Sequence, residues 1–302
     1  MKDRLLKFLF HGAPVRGELV RMSHSWQQMT AHHDYPAPVK QLLGEMVAAA
    51  ALLAGNIKFN GALVMQVHGD GPVKLLVVEV QPDLALRATA KLGDGPITDT
   101  ATMRELINRA GRGRFAITLD PRDPKPGQQP YQGIVPLDGE SMADVLETYM
   151  RQSEQLDTKL VLAADNDVSA GLLLQRLPDH GGAHVITDED AWDRATMLGG
   201  TLSRDELLRL APEVLVRRLY GQERLAPQAT LAPRFACTCS RERIGRMLIS
   251  LGRSEVDSII EEMQTVTVTC EFCSRKYSFD AVDVTQLFAH GVTEPAAQTT
   301  RH

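Results

Sequence analysis

The sequence predicts an α+β protein made of a mixed α/β N-terminal core domain, a short all-helical linker segment and a small C-terminal domain that carries four cysteines. Three observations lead to this prediction. Strand-like runs alternate with helical patterns until about Pro178. From Thr187 to Gly221 only short helical patterns follow. All the cysteines of the chain lie in about its last seventy residues.

Residues 1–180 are predicted to form the core domain. Turn residues separate its strands, as in the Gly-Asp-Gly-Pro sequence at 69–72. Ser23 is expected to cap the first helix. The predicted strands span 15–22, 62–68, 74–80, 85–92, 114–119, 131–137, 158–164 and 171–177, and the predicted helices span 23–33, 39–53, 100–110 and 141–155.

Residues 181–232 are predicted to form the linker segment, which begins within the short sequence Asp179-His180-Gly181-Gly182. A first helix is expected over 188–198. A second begins at a capping box, in which the Ser203 side chain is expected to cap the helix and the Glu206 side chain to bond the backbone N–H of Ser203.

A third linker helix is predicted to begin at Pro212 and to end at Gly221. The residues that follow, 222–235, contain two prolines and show no clear periodicity. They are therefore predicted to be an irregular connector.

Residues 233–292 are predicted to form the C-terminal domain, and 293–302 a flexible tail. Two helices are expected, one from Ser240 to Gly252 and one beginning at Ser254. The alternating Thr265–Cys270 sequence predicts a strand, which is expected to pair with 276–280 as a hairpin.

The cysteines occur as two close pairs, Cys237 with Cys239 and Cys270 with Cys273, separated by thirty residues. A hairpin turn places both sulfurs of a Cys-x-x-Cys pair on one side of the chain. Two such pairs make the tetrahedral thiolate cage that Zn²⁺ prefers, so the sequence predicts a zinc site with these four ligands. A domain of about sixty residues can bury only a thin core, and its fold would then depend on the metal.

Two other interpretations of these cysteines remain open on spacing alone. One is a purely structural zinc knuckle. The other is a redox dithiol of the thioredoxin type, although that motif begins a helix, whereas Cys270 ends a predicted strand and Cys273 leads into another. Thiolates are the species that oxidants attack, and two close pairs can each end as a disulfide.

Composition and motifs argue against several functional classes. The net charge of −5 is a poor match for a general nucleic-acid binder. Charged residues near the start do not fit a signal peptide, and the longest apolar stretch, 46–54, is shorter than a membrane span, so a cytoplasmic protein is expected. No phosphate-binding loop for ATP and no nucleophile–base pair is found, and no catalytic residue is predicted.

The chain resembles the heat-shock protein 33 family over nearly its whole length. The C-terminal motifs that carry the resemblance are Cys237-Thr-Cys239-Ser-Arg-Glu-Arg, Glu255-Val-Asp-Ser-Ile259, and Cys270-x-x-Cys273 followed by Tyr277 and Phe279. The N-terminal motifs are Arg16-Gly-Glu-Leu-Val20, Asp34-Tyr-Pro36, Gly69-Asp-Gly-Pro72 and Ser153-Glu-Gln-Leu156. One departure is Ser274, at a position where family members often have glycine.

The resemblance implies a redox-regulated, ATP-independent holdase chaperone rather than an enzyme. Such a protein binds unfolded or partly folded client proteins under oxidative stress, and its core domain would serve client binding and dimerisation. The resemblance also implies an inactive zinc-bound reduced form, and an oxidised form, expected to be a homodimer, that has two disulfides and no zinc. We expect these disulfides to join Cys237 with Cys239 and Cys270 with Cys273.

The linker segment is expected to be the part that responds to oxidation. Its short helices are marginal alone, so they are predicted to dock on the core domain and on the folded zinc domain. Alternatively, the linker segment is a fixed spacer that does not respond to oxidation. For the whole protein, the alternative functions are a zinc-ribbon nucleic-acid-binding protein and a thiol-disulfide oxidoreductase. The apolar residues expected to dock are Trp192, Leu207, Leu208, Leu210, Leu215 and Leu219.

Overall fold

The structure is a computed structural model that describes residues 2–57, 59–124, 128–178 and 188–290. The short sequence at 179–182, within which the linker segment is predicted to begin, and the tail predicted at 293–302 lie outside the described residues. By its internal packing the chain forms two compact units, Met1–Ala236 and Cys237–His302. The predicted functional division into core, linker and zinc domains stays a prediction.

The first unit contains two sheets and seven described helices. Its helices are α1 (His24–Thr30), α2 (Ala37–Ala54), α3 (Met103–Ile107), α4 (Met142–Ser153), α5 (Ala191–Gly200), α6 (Arg204–Arg209) and α7 (Pro212–Tyr220). Its strands are β1 (Arg4–Phe10), β2 (Val15–Met22), β3 (Gly61–His68), β4 (Val73–Val80), β5 (Ala85–Leu92), β6 (Arg114–Pro121), β7 (Tyr131–Pro136), β8 (Thr158–Ala164), β9 (Ser169–Arg176), β10 (Leu225–Leu231) and β11 (Arg234–Phe235).

The two sheets differ in how they pair. The five-stranded sheet has the order β10-β1-β2-β9-β8 and is antiparallel throughout. The six-stranded sheet has the order β11-β5-β4-β3-β6-β7, and its one parallel pair joins β11 to β5. The eight strands predicted for the core domain are all present in these sheets, with shifts of a few residues at their ends.

Helix α2 packs against both sheets and forms the centre of the larger apolar core. Four consecutive alanines, residues 48–51, are fully buried along it, and small side chains allow both sheets to approach the helix closely. By length and composition alone α2 could cross a membrane, but it is largely buried inside the fold, as expected for a core helix.

The linker helices α5, α6 and α7 cover the other face of the five-stranded sheet. Their apolar side chains share a cluster with residues of β1, β2 and β9, and Tyr220 packs edge-on against Phe10 with ring centroids 5.2 Å apart. The predicted docking on the core is therefore confirmed, whereas docking on the zinc domain stays a prediction. Of the predicted docking residues, Leu207, Leu208 and Leu215 are buried, and Trp192, Leu210 and Leu219 are partly buried.

The connector predicted over 222–235 is wrong, because the chain there forms β10 and β11. β10 is an edge strand whose side chains are mostly exposed, so it lacks the alternating pattern of a half-buried strand. An edge strand also accepts a proline, here Pro227, because one of its sides needs no ladder hydrogen bond.

The capping role predicted for Ser23 is also wrong. Its side chain makes no capping hydrogen bond to α1. Asp3 acts instead, since its carboxylate accepts the backbone N–H groups of Ser23, His24 and Ser25. A carboxylate from a distant segment can satisfy the free N–H groups of a helix start as well as a local cap can.

The second unit is small. It consists of α8 (Arg241–Leu251), α9 (Arg253–Met263), the hairpin of β12 (Val266–Thr269) and β13 (Lys276–Phe279), and α10 (Ala281–His290). The predicted hairpin is confirmed, and α10 was not predicted. Among the described residues of this unit, its buried apolar cluster has only five members, namely Leu248, Val256, Val266, Phe279 and Val284. So thin a core makes a weak contribution to stability.

Glu18 is a buried carboxylate on β2, with no exposed surface, 3.4 Å from the Lys7 ammonium. Burial raises the pKa of Glu18 to about 6, although Lys7 and Arg16 act in the opposite direction. Because the native state holds this proton more tightly than the unfolded chain, the free energy of unfolding should fall as pH rises from about 4.5 to about 6.

We expect Glu18→Gln to remove this pH dependence, which amounts to about 2 kcal/mol of unfolding free energy. Urea unfolding of the wild type and the variant at pH 4.5 and pH 7 measures it. Glu140→Gln, at an exposed glutamate, is the control. Equal pH dependence in wild type and Glu18→Gln would show that the carboxyl is not perturbed.

Candidate metal centre

The four cysteines come from two segments of the second unit. Cys237 and Cys239 immediately precede α8, whose N-cap is Ser240. Cys270 follows the last residue of β12, and Cys273 lies in the turn before β13. The hairpin therefore supplies one pair of thiols and the approach to α8 supplies the other.

The turn between β12 and β13 is closed by two backbone hydrogen bonds. Cys270 N–H donates to the Arg275 carbonyl at 2.9 Å, and Ser274 N–H donates to the Cys270 carbonyl at 2.8 Å. Ser274 has a φ of 54°, in the left-handed region that favours glycine. Glycine would adopt this conformation without strain, and serine occupies it at a modest energetic cost.

All four sulfurs converge on one point. They lie within 4.8 Å of one another, with Cys237 Sγ 3.6 Å from Cys270 Sγ and Cys239 Sγ 3.5 Å from Cys273 Sγ. Four sulfurs bound tetrahedrally at about 2.3 Å from an ion lie about 3.8 Å apart. The four thiols are not joined by disulfides. The geometry of the predicted site residues therefore fits a metal ion held by four sulfurs.

Burial and hydrogen bonding make the thiols unequal. Burial and the neighbouring sulfurs raise the pKa of Cys273 to about 12, although the Arg275 backbone N–H acts against the shift. Burial also raises the pKa of Cys239, but a hydrogen bond from Tyr277 and the contacts with the other sulfurs outweigh it and bring that pKa to about 7. The protein itself therefore stabilises the thiolate form of Cys239.

Tyr277 contacts the site with its side chain. Its hydroxyl donates to Cys239 Sγ at 3.1 Å. Its hydrogen bond with Arg275, together with the nearby sulfurs of Cys239 and Cys273, raises the pKa of that guanidinium. A hydrogen bond of this kind orients a metal ligand and withdraws charge from it. The sequence includes Tyr277 in a family motif but gives no sign of this contact.

We expect Tyr277→Phe to accelerate metal loss to a chelator about tenfold, because partners that orient a metal ligand typically change metal affinity by about 10–100-fold. The phenyl ring keeps its packing against the small core, so the unit should stay folded. Stopped-flow release with a colorimetric chelator measures the rate, and Tyr131→Phe, in the first unit, is the control. Identical rates for Tyr277→Phe and the wild type would rule out this role.

Comparison with protein families gives a match over most of the chain. The family model described as Hsp33 protein matches residues 3–280. The chain belongs to the heat-shock protein 33 family. The resemblance seen in the cysteine and N-terminal motifs is thereby confirmed.

Relatives of this heat-shock protein 33 family member match it from end to end. The 33 kDa chaperonin of Methylobacillus flagellatus is 46% identical over 296 residues, covering 98% of this chain and 97% of that protein. The 33 kDa chaperonin of Chromobacterium violaceum is 46% identical over 303 residues, covering 99% and 98%. These relatives carry the name of a chaperone and not that of an enzyme, in agreement with the prediction that this protein is not an enzyme.

A solved structure has the same fold. The crystal structure of the 33 kDa chaperonin, a heat shock protein 33 homologue, from Thermotoga maritima superposes with a TM-score of 0.79 at 18% identity, covering 97% of this chain and 100% of that one. At this identity the likeness concerns the fold alone. It agrees with the predicted α+β class.

Proposed function

We propose that this protein is a redox-regulated, ATP-independent holdase chaperone of the cytoplasm that protects unfolding proteins from aggregation during oxidative stress. Its clients are unfolded or partly folded proteins. The observation that carries the proposal is the convergence of four free thiols in a unit with a very thin apolar core. In such a unit, the state of the thiols decides whether the unit is folded.

The metal of this site is proposed to be Zn²⁺, bound by Cys237, Cys239, Cys270 and Cys273. Thiolate ligands select soft or borderline ions, and a closed set of four sulfurs at these distances suits tetrahedral zinc. X-ray absorption of the reduced, metal-loaded protein tests the donor set. Four sulfurs at about 2.3 Å are expected, and a nitrogen or oxygen ligand would contradict it.

Oxidation is proposed to convert the ligands into two disulfides. For each disulfide, two thiolates lose two electrons to hydrogen peroxide, whose O–O bond breaks, and two protons complete two water molecules. Oxidation of the first thiolate to a sulfenic acid already removes one metal ligand, so the metal leaves before the two disulfides are complete. The unit that depended on it then loses its fold.

The pairing of the disulfides is proposed to be Cys237 with Cys239 and Cys270 with Cys273. In the assembled site the sulfur contacts of 3.6 and 3.5 Å run across the two segments. Once the metal has left and the unit has unfolded, short chain separation favours the neighbours instead. The disulfide pairing therefore shows whether the second unit unfolds before both disulfides have formed.

Peptide mapping by mass spectrometry after peroxide treatment measures this pairing. Mainly neighbouring pairs are expected. Mainly crosswise pairs between the two segments would mean that the site oxidises while still folded, against the proposed pairing.

The oxidised state is proposed to loosen the linker helices, exposing their apolar residues and the sheet face that they cover. These helices have six to ten residues each, fewer than an isolated helix needs in water. An exposed apolar surface of this kind binds unfolded proteins. It is also proposed to support a homodimer of the oxidised form.

The amount of protein needed to protect a client distinguishes a holdase from a thiol-disulfide oxidoreductase. The oxidised protein should suppress aggregation of a heat-unfolded protein in proportion to its amount, without ATP, and the reduced metal-bound protein should not. Catalytic turnover of a small disulfide together with no difference in aggregation would favour the oxidoreductase instead.

A further inference from the structure

Helix α6 is held to the core at both of its ends by arginine side chains that bind backbone carbonyls. We propose that Arg21 is a positioning residue that clamps α6 and sets how readily the linker helices are released. This inference rests on the proposed function, in which release of those helices accompanies activation. It concerns a polar contact, whereas the docking described above is apolar.

The C-terminal end of α6 has a carbonyl that its own helix cannot satisfy. The partner of Leu208 C=O in a continuing helix would be the N–H of residue 212, but that residue is Pro212, which has none. Arg21 of β2 supplies the missing donors. Its Nε and Nη2 donate to the Leu208 carbonyl at 3.2 and 3.0 Å.

The position of this guanidinium suits the end of a helix. Cations are favourable at a helix C-terminus, where unpaired carbonyls concentrate negative charge. Arg21 is half-buried, so water competes less for the carbonyl than at an exposed site. Because arginine stays charged at every physiological pH, Arg21 keeps its donors for the Leu208 carbonyl.

The N-terminal end of α6 is held by hydrogen bonds from its first residue, Arg204. Arg204 donates to the carbonyl of Ala164, the last residue of β8, and to the side chain of Gln41 on α2 at 3.3 Å. Between these ends Leu207 and Leu208 are buried in the apolar cluster. Apolar contacts are non-directional, and the two arginines therefore fix where along the sheet the helix lies.

A nearby arginine provides a matched comparison. Arg4 lies directly opposite Arg21 on β1 and pairs with Glu213 of α7. Both members of that ion pair are more than 40% exposed, so it should contribute little. The two arginines thus contact neighbouring linker helices from one end of the sheet, but only Arg21 satisfies a carbonyl that lacks a helical partner.

Hydrogen exchange of the full-length, reduced, metal-loaded protein tests the clamp. Arg21→Met should increase amide exchange between 191 and 220 by about ten- to a hundredfold, as expected for losing a hydrogen bond to a charged group. Arg21→Lys should give a smaller increase. Arg4→Met should stay within about twofold of the wild type. In Arg21→Met, metal content should not change, and the amides of β9, in the sheet beneath the linker helices, should stay as protected as in the wild type.

The proposal is overturned if Arg21→Met leaves exchange between 191 and 220 within about twofold of the wild type, or if β9 loses protection to the same degree. If Arg21→Met does not fold, Arg21→Lys is judged by the same two criteria. Aggregation assays on the same samples keep the two proposals apart. Helices that are released without any suppression of aggregation would support the clamp and contradict the proposed function.

Discussion

Replacing Cys270 with serine should abolish stoichiometric metal binding and unfold residues 237–290, while the first unit stays folded. Cys270 is the most buried of the four thiols, with 7% of its surface exposed. A four-thiolate zinc site contributes about 10–16 kcal/mol of apparent binding free energy, and in a domain with so few buried apolar residues this is folding free energy. Loss of this ligand should therefore destabilise the unit more than truncation of any one of its apolar side chains.

Metal content by mass spectrometry and amide exchange of both units measure this outcome. Thr269→Ser, at the neighbouring exposed residue, is the matched control and should bind a full equivalent of metal. A Cys270→Ser protein that still bound one metal and kept its amides protected would show that the four cysteines do not act as one structural site.

Leu207→Ala should release the linker helices in the reduced protein. Leu207 has no exposed surface and lies in the cluster beneath α6. Removing a buried leucine side chain destabilises by about 2–5 kcal/mol. Helices α5, α6 and α7 are too short to persist without docking, so we expect most of this loss to appear as local opening of residues 191–220.

Hydrogen exchange again provides the measurement, with Met197→Ala as control because Met197 lies on α5 with 72% of its surface exposed. Met197→Ala should leave the exchange of the linker helices unchanged. Equal exchange in the two variants would mean that burial of Leu207 does not hold the segment in place.

Much of the fold follows from local sequence signals. The capping box at Ser203 and Glu206 and the proline at 212 correctly predict where α6 and α7 begin. Turn residues and alternation correctly predict the central strands, since those strands bury one face or both. These signals lie within a few residues of the structure that they specify, which is why a single sequence reveals them.

Other parts of the fold depend on residues far apart in the chain. β10 is recognised only through its pairing with β1, because its own side chains are mostly exposed. The cap of α1 comes from Asp3, about twenty residues before it. The spacing of local residues carries no information about such partners, so these features could not be predicted.

The candidate site also combines features that local sequence predicts with features that depend on distant residues. The spacing of Cys237, Cys239, Cys270 and Cys273 is sufficient to predict that their sulfurs converge. The contact of Tyr277 with Cys239 depends on the register of the hairpin, and the contact of Arg21 with Leu208 depends on how α6 lies on the sheet. Both required the three-dimensional structure.

The most direct test of the central claim follows amide exchange of residues 191–220 through oxidation, with client binding measured on the same samples. The reduced, metal-loaded protein should protect these amides and leave a heat-unfolded client to aggregate. After peroxide treatment and metal release, the amides should exchange rapidly and aggregation should be suppressed. If client binding appears while the amides stay as protected as before, the linker helices are a fixed spacer and their release does not create the client-binding surface.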